Sequence, residues 1–218
     1  MARLRTGVLI SGRGSNLQAL IDAAAAEDFP AEIVLAISNR RDAAGLARAA
    51  RAGIPTRVIE HGKFASREGF EAALDAALKE HRVELVCNAG FMRILTGGFV
   101  ALWRDRLINI HPSLLPAFPG LNTHERALAA GVRLHGCTVH FVREAVDEGP
   151  IILQAAVPVL AGDDAATLAE RVLAAEHRIY PLALELIAAG RVRVEGERVI
   201  ITGEGPPAGL LLNPEGRR

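Results

Sequence analysis

Short apolar runs alternate with segments of helical apolar spacing throughout the first ninety residues, and this alternation limits the chain to very few architectures. Residues 4–10 read as a strand, residues 11–16 (SGRGSN) as a glycine turn, and residues 17–23 as a helix. A second strand is expected over residues 32–38, then a helix capped by Asp42 and running to Arg51, with Gly53 and Pro55 marking its end. A third strand over residues 56–60 is followed by a helix that Ser66 caps and that extends to Lys79, then by a buried strand over residues 83–88. Repeated strand–helix order predicts an α/β fold of three layers, a mostly parallel twisted sheet with helices on both faces. Ligands of such sheets bind beyond the carboxyl ends of the strands.

Chemistry is therefore sought in the loops that follow strands. The glycine turn lets the backbone bend tightly and leads into a helix whose first amides and dipole suit a phosphate, although a turn without a ligand fits the same residues. It lacks both the GxGxxG spacing of a dinucleotide site and the lysine of a P-loop. Residues 89–95 (AGFMRIL) can line an apolar pocket whose backbone reads a heteroaromatic ring, or can pack as core. In residues 107–116 (LINIHPSLLP) an apolar strand ends in a proline-held turn, and Asn109 and His111 share strand parity, so both project to one side. An amide donor beside an imidazole can hold a developing oxyanion; a core histidine near a turn asparagine is the plainer reading.

Thr123 is expected to cap a short helix through Ala130, and residues 135–142 resume strand character with Thr138 and His140 on one side of the pleat. Residues 143–150 put Glu144, Asp147 and Glu148 in a turn, as solvated charges or with Asp147 as the carboxylate that charges His111. After a strand over residues 151–160, Asp163 or Asp164 opens a long helix that Pro181 should kink or divide. Glu176 in that helix reads as a surface charge or as the anion that receives a substrate ammonium group. Two short strands, 191–194 and 198–201, flank the turn 195–197. Residues 1–202 are expected to form a single domain and the Gly- and Pro-rich residues 203–218 a peripheral, flexible tail.

Basic and acidic residues balance, 25 against 25, so small anionic substrates are expected rather than nucleic acid. Cys87 and Cys137 lie apart in apolar runs, the pattern of reduced core thiols. With no signal-peptide pattern and no stretch long enough to span a membrane, a cytoplasmic location is expected. No cluster of His, Cys and acids has metal-site spacing, so no metal is expected.

Several stretches carry a resemblance: ISGRGSNLQALID, SREGFEAAL, AGFMRIL, NIHPSLLPAFPG, HGCTVHFV, DEGPIILQAAVPV and AEHRIYP. Together they are similar to the glycinamide ribonucleotide transformylases, within the wider family of folate-dependent formyltransferases. The resemblance is collinear from the first strand to about Pro181, and the NxHPSLLP run with its later DxGP turn is its most specific part. It implies a Rossmann-like formyltransferase fold and transfer of a formyl group from the cosubstrate 10-formyltetrahydrofolate to the amine of 5'-phosphoribosylglycinamide, in purine biosynthesis.

By the same resemblance Asn109, His111 and Asp147 are the catalytic triad. Gly14, Ser15 and Asn16 bind the ribonucleotide phosphate, and Leu173 and Glu176 lie near the glycinamide end. Arg67, Met92, Arg93, Ile94, Leu95, Asn109, Arg143, Glu144, Ala145, Val146 and Asp147 contact the folate. Ala117 and Asn122 stand where relatives often have Lys and His, and Glu148 replaces a frequent Gly; the triad is untouched. A monomer or a homodimer is expected. Rival readings are a formyltetrahydrofolate hydrolase, a formyltransferase with another amine acceptor, and a nonenzymatic nucleotide-binding module. The resemblance implies an extra amino-terminal domain in the hydrolase and an extra carboxyl-terminal domain in a formyltransferase acting on methionyl-tRNA, and this length leaves room for neither.

Overall fold

The computed structural model describes residues 2–203 and Asn213. A seven-stranded sheet has the order β3-β2-β1-β4-β5-β6-β7. Its strands are β1 (Leu4–Ile10), β2 (Ala31–Ser38), β3 (Thr56–Val58), β4 (Leu85–Asn88), β5 (Leu107–His111), β6 (Leu134–Phe141) and β7 (Ile151–Pro158). Pairings from β3 through to β5 are parallel, whereas β6 runs antiparallel to both of its neighbours. The central strands are hydrophobic with almost no alternation, as strands covered on both faces must be.

Two apolar clusters show where the layers lie. One packs α1 (Ser15–Ala24), α2 (Ala44–Arg51), α5 (Thr123–Ala129) and α6 (Ala165–Ala188) on one face through Leu17, Leu20, Ala49, Ala127, Leu168, Val172 and Tyr180. The other places α3 (Arg67–Glu80) and α4 (Gly97–Leu102) on the opposite face through Phe70, Leu74, Leu78, Phe99 and Trp103. This is the three-layer α/β architecture that the alternation implies. A separate hairpin, β8 (Val192–Glu195) and β9 (Arg198–Ile201), follows α6.

Local signals hold in some places and fail in others. The Ser66 side chain accepts from the Gly69 amide at 3.1 Å, so the α3 cap is as expected, and Asp164 caps α6 through the Thr167 amide at 2.8 Å. Asp42 does not cap α2: its carboxylate is bidentate to Arg40, at 3.0 and 2.7 Å, and Ala43 takes the cap position with no side-chain bond. Thr123 is the first residue of α5, and Asn122, in left-handed conformation, precedes it.

Pro181 does not divide α6, which runs unbroken for 24 residues. The proline costs one amide donor, but Tyr180, Ala183 and Leu184 around it are fully buried against the sheet and hold the helix together. The strand expected over residues 56–60 stops at Val58 because a 3-10 turn, His61–Lys63, begins just beyond it. Of the tail placed at 203–218, only Gly203 and Asn213 fall within the described residues, and the Asn213 amide donates to the carbonyls of Arg133 and Val159.

Candidate active site

Loops after β1, β4 and β5 meet at the carboxyl edge of the sheet. The Ser11 amide donates to Gly90 O at 3.1 Å, and its hydroxyl accepts from the Met92 amide at 2.8 Å, which ties the 89–95 segment to the end of β1. Beyond β5, Thr138 Oγ1 donates to Ser113 O at 2.7 Å and accepts from the Leu115 amide at 3.1 Å, fixing the turn that follows His111. The connection from β6 to β7 starts beside Leu107, whose carbonyl accepts from the Val142 amide, and folds back over β5 to bring Asp147 to His111.

A cavity of about 800 Å³ lies where these segments converge. Asn16, Arg67, Met92, Arg93, Ile94, Leu95, Asn109, His111, Arg143, Glu144, Val146, Asp147 and Glu176 all line it. Gly14, Ser15, Ala145 and Leu173 do not form its wall. Gly14 also has a packing task that the sequence did not disclose. Its φ is +70°, and a Cβ there would come within 2.5 Å of the Gly45 α-carbon, so the glycine permits α2 to cross close to the start of α1.

Asn109, His111 and Asp147 share one end of the cavity. Asp147 Oδ2 stands 3.3 Å from His111 Nδ1 and accepts from the Gly120 amide at 2.8 Å, with the Asp147 side chain only 9% exposed. Its backbone is left-handed, φ 60°, which turns the carboxylate inward. The other ring nitrogen of His111, Nε2, donates to Phe118 O at 3.0 Å.

Asn109 Nδ2 lies 3.3 Å from His140 Nε2, and His140 Nδ1 donates to Phe141 O at 2.9 Å. Burial lowers the His140 pKa, so its Nε2 carries a lone pair and accepts from Asn109. That bond fixes the amide orientation and leaves the second Asn109 hydrogen for a ligand. Glu176, which also lines the cavity, is buried, with Asn16 Nδ2 donating to it at 2.7 Å. Burial raises the Glu176 pKa, with the Asn16 bond opposing it, and the surface-charge reading of this residue is excluded.

The family model described as "Formyl transferase" matches residues 4–184. The chain belongs to the formyl transferase family. Trifunctional purine biosynthetic protein adenosine-3 of Homo sapiens is 56% identical over 192 residues, which are 88% of this chain but 19% of that protein. The chain thus spans about a fifth of the length of that relative. Phosphoribosylglycinamide formyltransferase of Escherichia coli K12 is 46% identical over 94% of this chain and 98% of its own length. The crystal structure of glycinamide ribonucleotide transformylase 1 from Symbiobacterium toebii superposes with a TM-score of 0.89 at 52% identity, covering 91% of this chain and 94% of that one.

Within this formyl transferase chain, sequence reasoning had passed over four contributors to the site. His140 and Asn88 flank Asn109 in the sheet register, forming a polar row across β4, β5 and β6. The shared parity of Thr138 and His140 was a signal for the first, and the polar end of an otherwise buried strand for the second. The Phe118 carbonyl and Gly120 amide are backbone groups and leave no side-chain trace in a sequence. Cys87 and Cys137 are free and buried, and burial pushes both thiols up to about 12, which removes them as thiolate nucleophiles. Among the described residues no group of three or more His, Cys, Asp or Glu can hold a metal ion, and no helix is long and apolar enough to cross a membrane.

Proposed function

We propose that this chain moves the formyl group of 10-formyltetrahydrofolate to the amine of 5'-phosphoribosylglycinamide, yielding the formylated ribonucleotide and tetrahydrofolate in purine biosynthesis. The observation that carries the reading is the Asn109, His111 and Asp147 cluster in a cavity that the buried Glu176 also lines. We take residues 1–202 as one formyltransferase domain acting in the cytoplasm, as a monomer or homodimer, on small molecules. Two relatives, a phosphoribosylglycinamide formyltransferase and a glycinamide ribonucleotide transformylase, carry names that support the same acceptor.

In this mechanism the amine attacks the formyl carbon, and the former carbonyl oxygen becomes negative in a tetrahedral intermediate. The free hydrogen of the Asn109 amide is a donor to that oxygen as the site stands. His111 Nε2 becomes the second donor when the oxygen displaces the Phe118 carbonyl. Asp147 orients the ring through Nδ1 and takes the amine proton through a water. Collapse breaks the bond to the folate nitrogen, which leaves with a proton. Arg67, Arg93 and the 143–147 segment, with Met92, Ile94 and Leu95, hold the folate; Glu176, Leu173 and Asn16 hold the glycinamide side. Gly14 and Ser15 present the first amides of α1 to the phosphate.

The deciding assay uses purified protein and 10-formyltetrahydrofolate with and without the ribonucleotide. Formyl transfer only when the acceptor is present is expected; deformylation without it identifies a hydrolase, and neither reaction refutes the reading. His111→Ala should lower kcat by roughly a hundredfold to a thousandfold, the usual loss for an oxyanion donor, with ribonucleotide affinity unchanged. Asp147→Asn should fall by about a hundredfold. Near-wild-type turnover in both variants would remove the triad.

A further inference from the structure

We propose that Glu197, in the turn of the β8–β9 hairpin, is a positioning residue that latches the 143–147 segment in the conformation that binds the formyl donor. The hairpin lies beyond residues 4–184, the stretch that the family model matches. It nevertheless reaches the base of that segment. Glu197 Oε2 accepts from Arg143 Nε at 2.8 Å, and its Oε1 accepts from Arg104 Nη2 at 2.9 Å.

Arg143 is where the hairpin and the cavity meet. Its side chain is 10% exposed, and every nitrogen of the guanidinium is engaged: Nε by Glu197, Nη2 by Asp105 at 2.7 Å, and Nη1 by its neighbour's carbonyl, Val142 O, at 3.2 Å. A nearly buried cation held by two carboxylates is fixed in place, and removing one carboxylate leaves part of its charge uncompensated. The arginine stem also closes the loop on itself, since a Cβ on Gly149 would meet Arg143 Cγ at 3.2 Å. Asp147 lies between these two closed ends.

The segment is held at two further places. The Glu144 carboxylate rests on Gly97, where a Cβ would come within 2.9 Å of it, and Asp147 is held by the Gly120 amide and His111. Between these points Val146 is 48% exposed and faces the cavity, so its position depends on the anchors rather than on core packing. Among these anchors Glu197 is the one supplied from beyond the stretch that the family model matches. The hydrogen bond from Arg143 holds its carboxyl below the ordinary carboxylate range.

This rests on the function proposed above, and the test separates the two. Glu197→Ala is expected to raise the KM for 10-formyltetrahydrofolate about fivefold, the scale of a well-placed charge pair, while the KM for the ribonucleotide stays as in the wild type. Glu197→Gln, which keeps a hydrogen-bond acceptor, should fall between the two. In an Arg143→Ala background the same Glu197→Ala change should add nothing to the KM. A urea double-mutant cycle on the same four proteins should show coupling between the two residues, independent of any substrate. An unchanged donor KM, an equal rise in both KM values, or a rise that persists without Arg143 overturns the positioning role, and zero coupling overturns the latch itself. A wild-type chain that transfers no formyl group would sink the functional reading, whereas the urea cycle would still decide whether the ion pair holds.

Discussion

Glu176 is a carboxyl group 7% exposed, with one amide donor from Asn16, and its burial disfavours the charged form. Because its folded pKa is raised, its contribution to stability is intact below the unfolded value near 4.5 and is lost as pH rises through the folded value. Glu176→Gln keeps the Asn16 bond and removes the charge. The variant is expected to match the wild type in urea at pH 4 and to exceed it at pH 8, while binding the ribonucleotide more weakly. Equal midpoints at both pH values would mean that the carboxylate is not destabilised by burial. A signal for this burial was present in the sequence, since Leu168, Val172, Glu176 and Tyr180 recur every four residues on one helix stripe. The role of His140 was less legible: strand parity put it on the right face, but only the pairing of β5 with β6 sets it opposite Asn109.

Among the elements, the β1–α1 turn combines two demands that one sequence pattern cannot separate. SGRGSN reads equally well as an anion cradle and as a tight crossing, and the Gly14–Gly45 approach adds a packing reason for its second glycine. Gly14→Ala should destabilise the protein by about 2 to 4 kcal/mol in urea, from the left-handed φ and from contact with the backbone of α2. Loss of ribonucleotide binding in that variant therefore says nothing about phosphate. Ser15→Ala is the cleaner probe, because it removes a partly exposed hydroxyl and leaves the crossing alone. Its stability should stay within about 0.5 kcal/mol while ribonucleotide affinity falls roughly tenfold to a hundredfold, the worth of one hydrogen bond to a charged group. A stable Ser15 variant with full affinity would move the phosphate elsewhere. Strand and helix order was legible because period and burial agree along most of the chain, while Asp42 and Pro181 misled because a neighbouring arginine and a buried helix face outweighed local preference.

At the scale of the molecule, equal numbers of acidic and basic groups hide an asymmetry in how the protein responds to acid. His124, His135, His140 and His177 all have lowered pKa values, burial being the largest cause in each. His135 is the extreme case, 1% exposed, set edge-on to Phe118 and His124, and pushed down to about 4. A histidine with a depressed folded pKa takes up its proton more readily in the unfolded chain. Stability is therefore complete above about 6.5 and is lost progressively as pH falls toward about 4. His124, His135 and His140 lie within electrostatic reach of His111, and the His135 ring meets that of Phe118 edge-on. His135→Phe keeps an aromatic edge between Phe118 and His124 and removes the titrating group. Between pH 7 and pH 4.5 the wild type should lose roughly 2 kcal/mol more unfolding free energy than this variant. Urea titrations at the two pH values measure the difference directly, and parallel losses would place the acid sensitivity in the carboxylates instead of in this buried imidazole.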